Sequence, residues 1–416
     1  MPQSPELPPV SRTVPRFRDP AGADRDVAYA RFGRRTGAGD VVCADLLRHP
    51  EALDEGGLWF VVADFQALAD DGSARADGRA GDASRSEEAT SAGARASAPG
   101  RIRAWRFTGD AGGTPRGGRE VADVVRPWVG PEAASWVSST DRAGYEDAVR
   151  AVRGHVQEGD VYQVNVCRVM SAPLPRREGR EPDALALAHV LAAGNPAPYE
   201  GVLHVPAGLG VDPVWVVTAS PELFLRVRDG RVTSGPIKGT ATTAAGLSDK
   251  DRAENVMITD LVRNDLQRVC VAGTVEVETL LGVEEHPGLV HLVSTVSGTL
   301  TDADRVDWLG LLRATFPPAS VSGAPKSSAL RIIDALEPEP RGPYCGAVGW
   351  IDADAGTAEL AVGIRTFWWA QDVLRFGTGA GITWGSDPAA EWEETELKAR
   401  RLVGLASGAP AADCDA

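Results

Sequence analysis

The chain has 416 residues and a formal net charge of −15 at pH 7, so it can bury a large core but lacks the basic surplus of a nucleic-acid-binding protein. Its five cysteines include no CxxC pair, which suits a reducing cytoplasm and argues against a disulfide framework or a structural zinc site. The N-terminal residues contain no apolar signal-peptide core, and no run of roughly 18 uncharged apolar residues follows, so a cytoplasmic protein without a membrane span is predicted.

The first third of the chain carries weak structural signals. Residues 1–25 are rich in Pro and Arg and are predicted to be loose, whereas 58–63 and 101–107 have the apolar character of strands. Between these strands, residues 70–100 consist of Ala, Gly, Ser and charged side chains without an aromatic residue. Such a segment cannot bury enough apolar area to offset ordering, so a disordered surface loop is predicted.

From residue 139 onward the pattern becomes clearer. Ser139 or Thr140 is predicted to cap a helix that ends at Gly159. Further helices are expected near 183–193, 249–269, 305–316, 326–336 and 388–405. Strands are expected near 161–166, 201–206, 213–219, 222–228, 231–234, 275–280, 292–300, 345–352, 358–366 and 373–380. Because several neighbouring strands are joined by hairpins, this order favours an α+β fold with large antiparallel sheets over a parallel βαβ winding.

A hairpin in the middle of the chain places an acid near a lysine. The pair Asp229-Gly230 marks its turn, with Glu222 on the first strand and Lys238 just beyond the second. If these strands are neighbours, the two side chains provide an acid and a potential amine nucleophile in one cleft. A cross-strand ion pair on a wet surface would give the same pattern.

Two helices present carboxylates at helical spacing. Asp251 and Glu254 share a face of one helix, and the last helix presents Glu391, Glu394 and Lys398 together. Brought together, these carboxylates would form an oxygen-rich site for a hard cation such as Mg²⁺. Two solvated acidic faces with intrahelical ion pairs are the alternative.

Four other features each have two interpretations. The glycines of 377–382, GTGAGI, let backbone N–H groups approach an anion but lack the GxGxxG spacing of a Rossmann fingerprint. Arg365 is either a carboxylate clamp or a surface ion-pair partner. His291 lies in an apolar strand, where a hydrogen-bonded core histidine is more common than a catalyst. Lys326 begins a helix after a Gly/Pro turn, where it can act as a cap.

Taken in order, the motifs between about 138 and 403 resemble those of the chorismate-utilising enzymes, which include anthranilate, aminodeoxychorismate, isochorismate and salicylate synthases. The motifs are GDVYQVN, SPELFL, PIKGT, DKDRAENVMITDLVRNDLQRV, GLVHLVSTVSG, PPASVSGAPK, RGPYCGAVG, GIRT, GAGI and SDPAAEWEETELKA. The resemblance implies a two-subdomain sandwich of antiparallel sheets and helices of the anthranilate synthase component I type. Residues 1–137 would form the N-terminal subdomain, 138–405 the chorismate-binding domain and 406–416 a loose tail.

Two positions separate the subfamilies. Gln163 stands where isochorismate and salicylate synthases carry a water-activating lysine, so water addition at C2 is disfavoured. Lys238 stands in the PIKGT form typical of aminodeoxychorismate synthase, whereas anthranilate synthases typically have PIAGT. The resemblance therefore implies amination of chorismate at C4 through a covalent Lys238 intermediate. Anthranilate synthase component I and a non-catalytic chorismate-binding subunit are the alternatives.

The resemblance also implies roles for individual residues. Glu222 matches the general acid, and His291 matches a histidine near the ring. Glu254 and Glu394 would hold Mg²⁺, with Asp251 and Glu391 nearby or acting through water. The residues implied to contact the substrate are Gln163, Gly239, Thr240, Tyr344, Arg365, Gly381 and Lys398.

The same resemblance predicts the partners. Chorismate is the expected substrate, and ammonia is expected from a separate glutaminase subunit, since no Cys/His/Glu amidotransferase segment accompanies the match. The usual LLES-type element of the tryptophan pocket is not found, so tryptophan regulation is not predicted. The family's PGGS-type turn is Pro317-Pro318-Ala319-Ser320 here, which leaves its local conformation open.

Overall fold

The computed structural model describes residues 27–68, 100–108, 127–241, 243–286, 289–303 and 305–409. The predicted loose segment 1–25, nearly all of the predicted loop 70–100 and most of the predicted tail lie outside these ranges. The described helices are α1 Arg142–Glu158, α2 Ala184–Gly194, α3 Asp249–Gln267, α4 Trp308–Thr315, α5 Lys326–Leu336 and α6 Pro388–Ala406. The described strands are β1 Tyr29–Phe32, β2 Arg35–Ala38, β3 Val41–Asp45, β4 Leu58–Ala63, β5 Ile102–Phe107, β6 Val137–Ser138, β7 Gln163–Pro173, β8 Tyr199–Val205, β9 Val214–Ser220, β10 Leu223–Arg228, β11 Arg231–Gly235, β12 Ile237–Ala241, β13 Glu276–His286, β14 Leu289–Thr299, β15 Gly323–Ala324, β16 Ala347–Asp352, β17 Thr357–Val362, β18 Thr366–Ala370 and β19 Val373–Ile382.

These strands form two antiparallel sheets. The first sheet has the order β15-β7-β19-β18-β9-β8-β1-β2, with β6 beside β7. The second has the order β12-β14-β11-β10-β17-β16-β4-β5-β3, with β13 on the other side of β14. The early strands therefore extend both sheets, and every strand pair among the described residues is antiparallel. The predicted α+β class is confirmed.

Local sequence signals explain most helix boundaries. Asp141, rather than the predicted Ser139 or Thr140, caps α1 by accepting a hydrogen bond from the Gly144 backbone N–H. A carboxylate one residue nearer the helix reaches the free N–H groups of the first turn. Gly159 ends α1 in the left-handed conformation, as predicted.

Strand β7 extends well beyond the predicted 161–166. The prediction ended too early because a buried arginine interrupts the apolar pattern of the strand. Arg168 is only 2% exposed and donates hydrogen bonds to Thr395 and Ser138 and forms an ion pair with Glu396. Its guanidinium also stacks on Trp392 at 4.2 Å from the ring centroid. A buried cation of this kind is compatible with a strand only when partners from other elements surround it.

One large core packs helices against strands from both sheets. Tyr145 and Val149 of α1, Phe224 of β10 and Ile258 and Val262 of α3 belong to it. A second core covers the first sheet with α2 and the C-terminal half of α6. The helices α3 and α6, which carry the predicted carboxylates, are therefore fixed by their apolar faces.

A buried arginine joins the turn after α5 to the rest of the fold. Arg341 is fully buried, and both sides of its guanidinium bond to Glu337, at 2.8 and 2.6 Å. It also donates to the backbone oxygens of Val321 and Asn165, at 2.8 and 2.6 Å, and lies 4.1 Å from the Phe65 ring centroid. One side chain thus connects four separate segments of the chain.

We expect Arg341→Met to lower the free energy of unfolding by about 3–5 kcal/mol, because it leaves the Glu337 carboxylate buried without its partner. Chemical denaturation followed by circular dichroism measures this change. Arg142→Met, at the exposed ion pair with Glu146, is the matched control and is expected to leave the midpoint unchanged. Equal midpoints for both variants would contradict the structural role of Arg341.

Candidate active site

The central hairpin places Glu222 and Lys238 beside each other at a kink in the second sheet. Strands β11 and β12 follow one another along β14, separated by Pro236. Leu223 pairs with Gly235, so Glu222 stands opposite the start of β12. The predicted hairpin is confirmed, although Lys238 lies on the continuation of the return strand rather than within it.

Burial makes Glu222 a proton donor near neutral pH. The side chain is 3% exposed and borders a small cavity lined mainly by apolar groups, including Phe224, Pro236 and Val262. This burial raises the pKa of the carboxyl to about 7, against hydrogen bonds from Ser320 and the Ile237 backbone and the charge of Lys238. A wet-surface ion pair, the alternative interpretation of this hairpin, is therefore wrong.

Lys238 is partly buried, and its surroundings favour the neutral amine. Desolvation lowers the pKa of its ammonium, and the charge of Lys398 acts in the same direction. The carboxylates of Glu254 and Glu222 oppose that shift without cancelling it. Since only a neutral amine is nucleophilic, this arrangement increases the reactive fraction of Lys238 near neutral pH.

The glycines of β19 leave one face of that strand without side chains. A Cβ at Gly381 would lie 2.3 Å from Gln163 Nε2 and 3.4 Å from Lys238 Nζ. Two residues earlier, a Cβ at Gly379 would lie 2.7 Å from the sulfur of a cysteine in β7. A Cβ at Gly377 would meet the Tyr344 ring at 2.1 Å. These groups therefore follow one another along a single trough, at about 6.8 Å per step.

Polar groups around this trough lack partners. The Gln163 Oε1 atom is buried and has no hydrogen-bond partner in the part of the chain that the structure describes. Burial lowers the pKa of the Arg365 guanidinium, which has no hydrogen bond or ion pair among the described residues. The Arg365 turn adjoins that of Tyr344, because the backbone N–H of Cys345 donates to Gly363 O at 3.0 Å. Buried polar groups of this kind are stabilised when a polar ligand supplies the missing partner.

The two acidic helices meet around Lys250. Its Nζ lies 3.7 Å from Glu254 Oε1 on α3 and 3.4 Å from Glu391 Oε1 on α6. Glu254 Oε1 is buried and forms no hydrogen bond within the described ranges, and burial raises the pKa of this carboxyl. Glu394 instead pairs with Lys398, at 2.6 Å, and Lys398 also donates to Gly379 O at 3.1 Å.

The predicted set of four carboxylates is only partly assembled. Asp251 closes the capping box of α3 by accepting hydrogen bonds from the Ser248 backbone and hydroxyl, at 2.8 and 2.6 Å, so its role as a metal ligand stays a prediction. Among the described residues, one group of three potential ligands lies within 4.8 Å, and this is an exposed cluster remote from the prediction: His155, Glu158 and Asp160. Because Mg²⁺ needs only one or two protein carboxylates, the pair Glu254 and Glu391 still fits such an ion.

The remaining predicted positions surround α3 and β14. His291 is 2% exposed in β14 and pairs with Thr240 of β12, which agrees with a core histidine at the edge of the site. Gly239 has φ +92°, and a Cβ there would lie 2.8 Å from Asp251 Cβ. Its close approach is therefore to α3, whereas the sequence interpretation attributed it to a substrate.

The sequence did not lead us to Lys250 or Ser320, and the interpretation of Lys326 was wrong. Lys250 joins two acidic helices, and its i, i+4 spacing from Glu254 was an available signal. Ser320 contacts Glu222 from the irregular 317–320 turn, where no periodicity exists. Lys326 is not a helix cap, because its ammonium is buried and forms an ion pair with Asp265 at 2.7 Å.

Together, these features define a protein with an α+β double-sheet fold and an internal acid–lysine site edged by carboxylates and unpartnered cationic and amide groups. The profile of the chorismate binding enzyme family matches residues 123–404, and the chain belongs to this family. The family prediction is confirmed.

Individual relatives carry two different names. Anthranilate synthase component 1 of Saccharolobus solfataricus is 40% identical over 276 residues, covering 64% of this chain and 62% of the relative. Aminodeoxychorismate synthase component 1 of Salmonella typhimurium is 36% identical over 282 residues, covering 65% of this chain and 59% of the relative. The matched region thus spans about three fifths of the length of these curated relatives.

Solved structures share the fold. Anthranilate synthase component I from Streptococcus pneumoniae aligns with a TM-score of 0.65 at 22% identity, covering 94% of both chains. The isochorismate synthase MenF from Escherichia coli aligns with a TM-score of 0.66 at 19% identity, covering 93% of this chain and 90% of that one. The predicted sandwich of the anthranilate synthase component I type is confirmed. Within the described ranges, every helix is too short or too polar to cross a membrane.

Proposed function

We propose that the protein aminates chorismate at C4, as the chorismate-binding component of an aminodeoxychorismate synthase. The observation that carries this proposal is the placement of Lys238, a desolvated amine beside the buried acid Glu222. Relatives with both synthase names occur at similar identity, so the choice of C4 depends on this lysine.

The acid and the amine together permit a balanced substitution. Neutral Lys238 Nζ forms a bond to C2, both conjugated ring double bonds shift by one position towards C4, and the C4–O bond breaks. Glu222 donates its proton to the departing hydroxyl, which leaves as water rather than as the poor leaving group hydroxide. Ammonia then adds at C4, both double bonds shift back, the bond between C2 and the lysine nitrogen breaks, and the added nitrogen returns one proton to Glu222. The sum is chorismate plus ammonia giving 4-amino-4-deoxychorismate plus water.

The groups along the trough suit a dianionic substrate. The Arg365 guanidinium and the Tyr344 hydroxyl would receive one carboxylate, and Lys398 with the backbone at Gly381 would stand near the other end. The amide of Gln163 would help to orient the substrate. It would not activate water, because an amide cannot act as a base. Thr240 and His291 would border the ring from the second sheet.

Mg²⁺ is the proposed cofactor, held by carboxylates from α3 and α6. Bound there, the ion would neutralise the ring carboxylate and make the ring more electrophilic. Glu254 and Glu391 are within reach of one cation, with Glu394 and Asp251 as further donors once their present partners release them. Lys250 supplies the positive charge between these carboxylates when no metal ion is bound.

We expect Lys250→Met to tighten Mg²⁺ binding about tenfold, because it removes a cation that competes for Glu254 and Glu391. Calorimetric titration of the full chain with MgCl₂ measures the dissociation constant without reference to activity. Arg252→Met removes an exposed cation from the same turn of α3 and is expected to leave the constant unchanged. Unchanged or weaker binding by Lys250→Met would show that the ion does not occupy the place of this ammonium.

Ammonia is proposed to come from a separate glutaminase subunit, in line with the name component 1 that the relatives carry. Free ammonium at mildly alkaline pH should replace that subunit in vitro, because the reaction consumes only ammonia.

Anthranilate synthase activity is the second candidate, since relatives of that name reach 40% identity. The test is incubation of the full chain with chorismate, Mg²⁺ and ammonium, followed by mass spectrometry of the product. A species that retains the enolpyruvyl group and yields p-aminobenzoate with an added lyase supports C4 amination. Anthranilate with pyruvate would establish the second candidate. Absence of turnover, both with ammonium and with a glutaminase subunit, would favour a non-catalytic chorismate-binding subunit.

A further inference from the structure

Two thiols face each other beneath the trough of β19. The sulfur atoms of Cys167, in β7, and Cys345, after Tyr344, lie 3.9 Å apart. Both side chains are buried, at 3% and 0% exposure, and both are free thiols. The proposed amination uses neither of them.

Polar partners from β7 and from the 341–346 turn surround the pair. The Asn165 amide donates to Cys167 Sγ at 3.0 Å, and Cys167 and the Tyr344 hydroxyl both hydrogen-bond to Cys345. Burial raises the pKa of the Cys345 thiol, but these hydrogen bonds and the Arg341 guanidinium outweigh it and hold the pKa below its ordinary value. Burial keeps the pKa of Cys167 high. Cys345 is thus the more readily ionised thiol of the pair, and Cys167 is the thiol beside it.

We propose that Cys167 and Cys345 form a peroxide-sensitive dithiol that closes to a reversible disulfide next to the substrate site. The Cys345 sulfur attacks one peroxide oxygen, the O–O bond breaks, and a sulfenic acid and one water result. The Cys167 sulfur then attacks the sulfenic sulfur, forming the S–S bond and releasing a second water. The two thiols lose two protons and two electrons, and hydrogen peroxide is reduced to two water molecules.

The dithiol lies directly beside the groups proposed to contact the substrate. Cys167 Sγ would lie 2.7 Å from a Cβ at Gly379, one step along β19 from Gly381 and Lys238. Because the Cys167 sulfur itself fills the space beside Gly379, peroxide reaches the pair only when the groups packed along the trough move apart. A ligand that fills the trough should therefore protect the pair from oxidation.

Disulfide formation would disturb Tyr344. The sulfurs must approach from 3.9 Å to a bond length of about 2.05 Å. Cys345 has φ +61°, and Gly346 packs so closely on Ala63 that a Cβ there would lie 1.9 Å from Ala63 O. The turn therefore has little freedom on that side, and the shift is transmitted to the preceding Tyr344. The consequence for catalysis, unlike the disulfide itself, rests on the proposed function.

The test uses the full wild-type chain exposed to hydrogen peroxide, quenched with N-ethylmaleimide and mapped as non-reduced peptides. We expect a cross-linked peptide pair joining Cys167 to Cys345, its loss on treatment with dithiothreitol, and slower formation in the presence of chorismate. If the chain aminates chorismate, oxidation should also raise KM at least about tenfold, reversibly. A peroxide-treated protein with both thiols alkylated, or with a sulfinic acid on one of them, would overturn the proposal.

Variants keep the test specific. Cys167→Ser and Cys345→Ser should each lose the cross-link, whereas Cys270→Ser, at another buried thiol, should retain it. A cross-link that involves Cys270 or Cys43 instead would overturn the assignment. Because peptide mapping detects the covalent bond, it distinguishes failure of this proposal from failure of the amination proposal.

Discussion

Lys238→Ala is expected to abolish formation of 4-amino-4-deoxychorismate, with a loss of at least about 10³-fold in kcat. The lysine is a desolvated amine that lies 3.4 Å from a Cβ placed at Gly381. Without it, ammonia must displace the C4 hydroxyl directly, and no covalent intermediate divides that step. Product analysis by mass spectrometry under saturating ammonium measures the loss.

Any amination that survives in this variant is expected at C2, because ammonia can then attack C2 in place of the lysine nitrogen. Lys238→Gln is the companion variant: it retains side-chain bulk and hydrogen bonding but has no nucleophilic amine. Full production of aminodeoxychorismate by either variant would exclude the covalent route. Unchanged thermal unfolding of both proteins would show that the loss is chemical rather than structural.

The elements that the sequence predicted well have strong periodicity and clear end signals. The hairpin of β10 and β11 has its Asp-Gly turn, and α3 and α6 have wide apolar faces and caps. The strands that were not predicted, β1, β2, β3, β6, β12, β15 and β18, are two to five residues long. Such strands exist because neighbouring strands supply their hydrogen bonds, which a local pattern does not reveal.

The sequence predicted which residue types form the site, but not their burial or their contacts with distant parts of the chain. Helical spacing indicated that Glu394 and Lys398 share a face, and the same i, i+4 spacing was available, though not used, for Lys250 and Glu254. The contact from Lys250 to Glu391 spans 141 positions and requires two packed helices. Similarly, the burial that sets the proton affinity of Glu222 depends on the distant Ser320 and Val262.

The alternating glycines of β19 show how a local pattern acquires meaning only in the sheet. Gly377, Gly379 and Gly381 are spaced by two, so in a strand their missing side chains lie on one face. The sequence indicated close approach of an anion to the backbone. In the structure, the open face accommodates Tyr344, a β7 thiol and the Gln163–Lys238 pair in succession. Which groups occupy that face is decided by β7 and the 341–346 turn.

Glu222→Gln is expected to reduce kcat by about 10²–10⁴, because the amide cannot protonate the departing hydroxyl. In the wild type, the carboxyl has a pKa of about 7, so it is protonated below that pH and loses its proton above it. Wild-type kcat should therefore fall as pH rises past about 7. In Glu222→Gln that fall should be absent from the residual activity, which a pH–rate profile with saturating substrates measures.

The same substitution is expected to stabilise the fold at alkaline pH. Between its ordinary pKa of 4.5 and about 7, Glu222 is protonated in the folded chain but ionised in the unfolded chain. The folded state then binds the additional proton, so stability decreases as pH rises through this window, by about 3 kcal/mol. Glutamine carries no such proton. Glu222→Gln should thus have a higher free energy of unfolding than the wild type at pH 8 and a similar one at pH 4, which denaturant titration at the two pH values measures.

Glu393→Gln, on the exposed face of α6, is the matched control, because its carboxylate lies at the surface in an ion pair with Arg142. It should change neither the pH–rate profile nor the dependence of stability on pH. A less active but more stable Glu222→Gln would show that the fold sustains a buried carboxyl at a cost in stability, which is expected of a group retained for proton transfer. Parallel stability curves for Glu222→Gln and the wild type would instead mean that Glu222 is solvated, and the proton donor would have to be sought elsewhere.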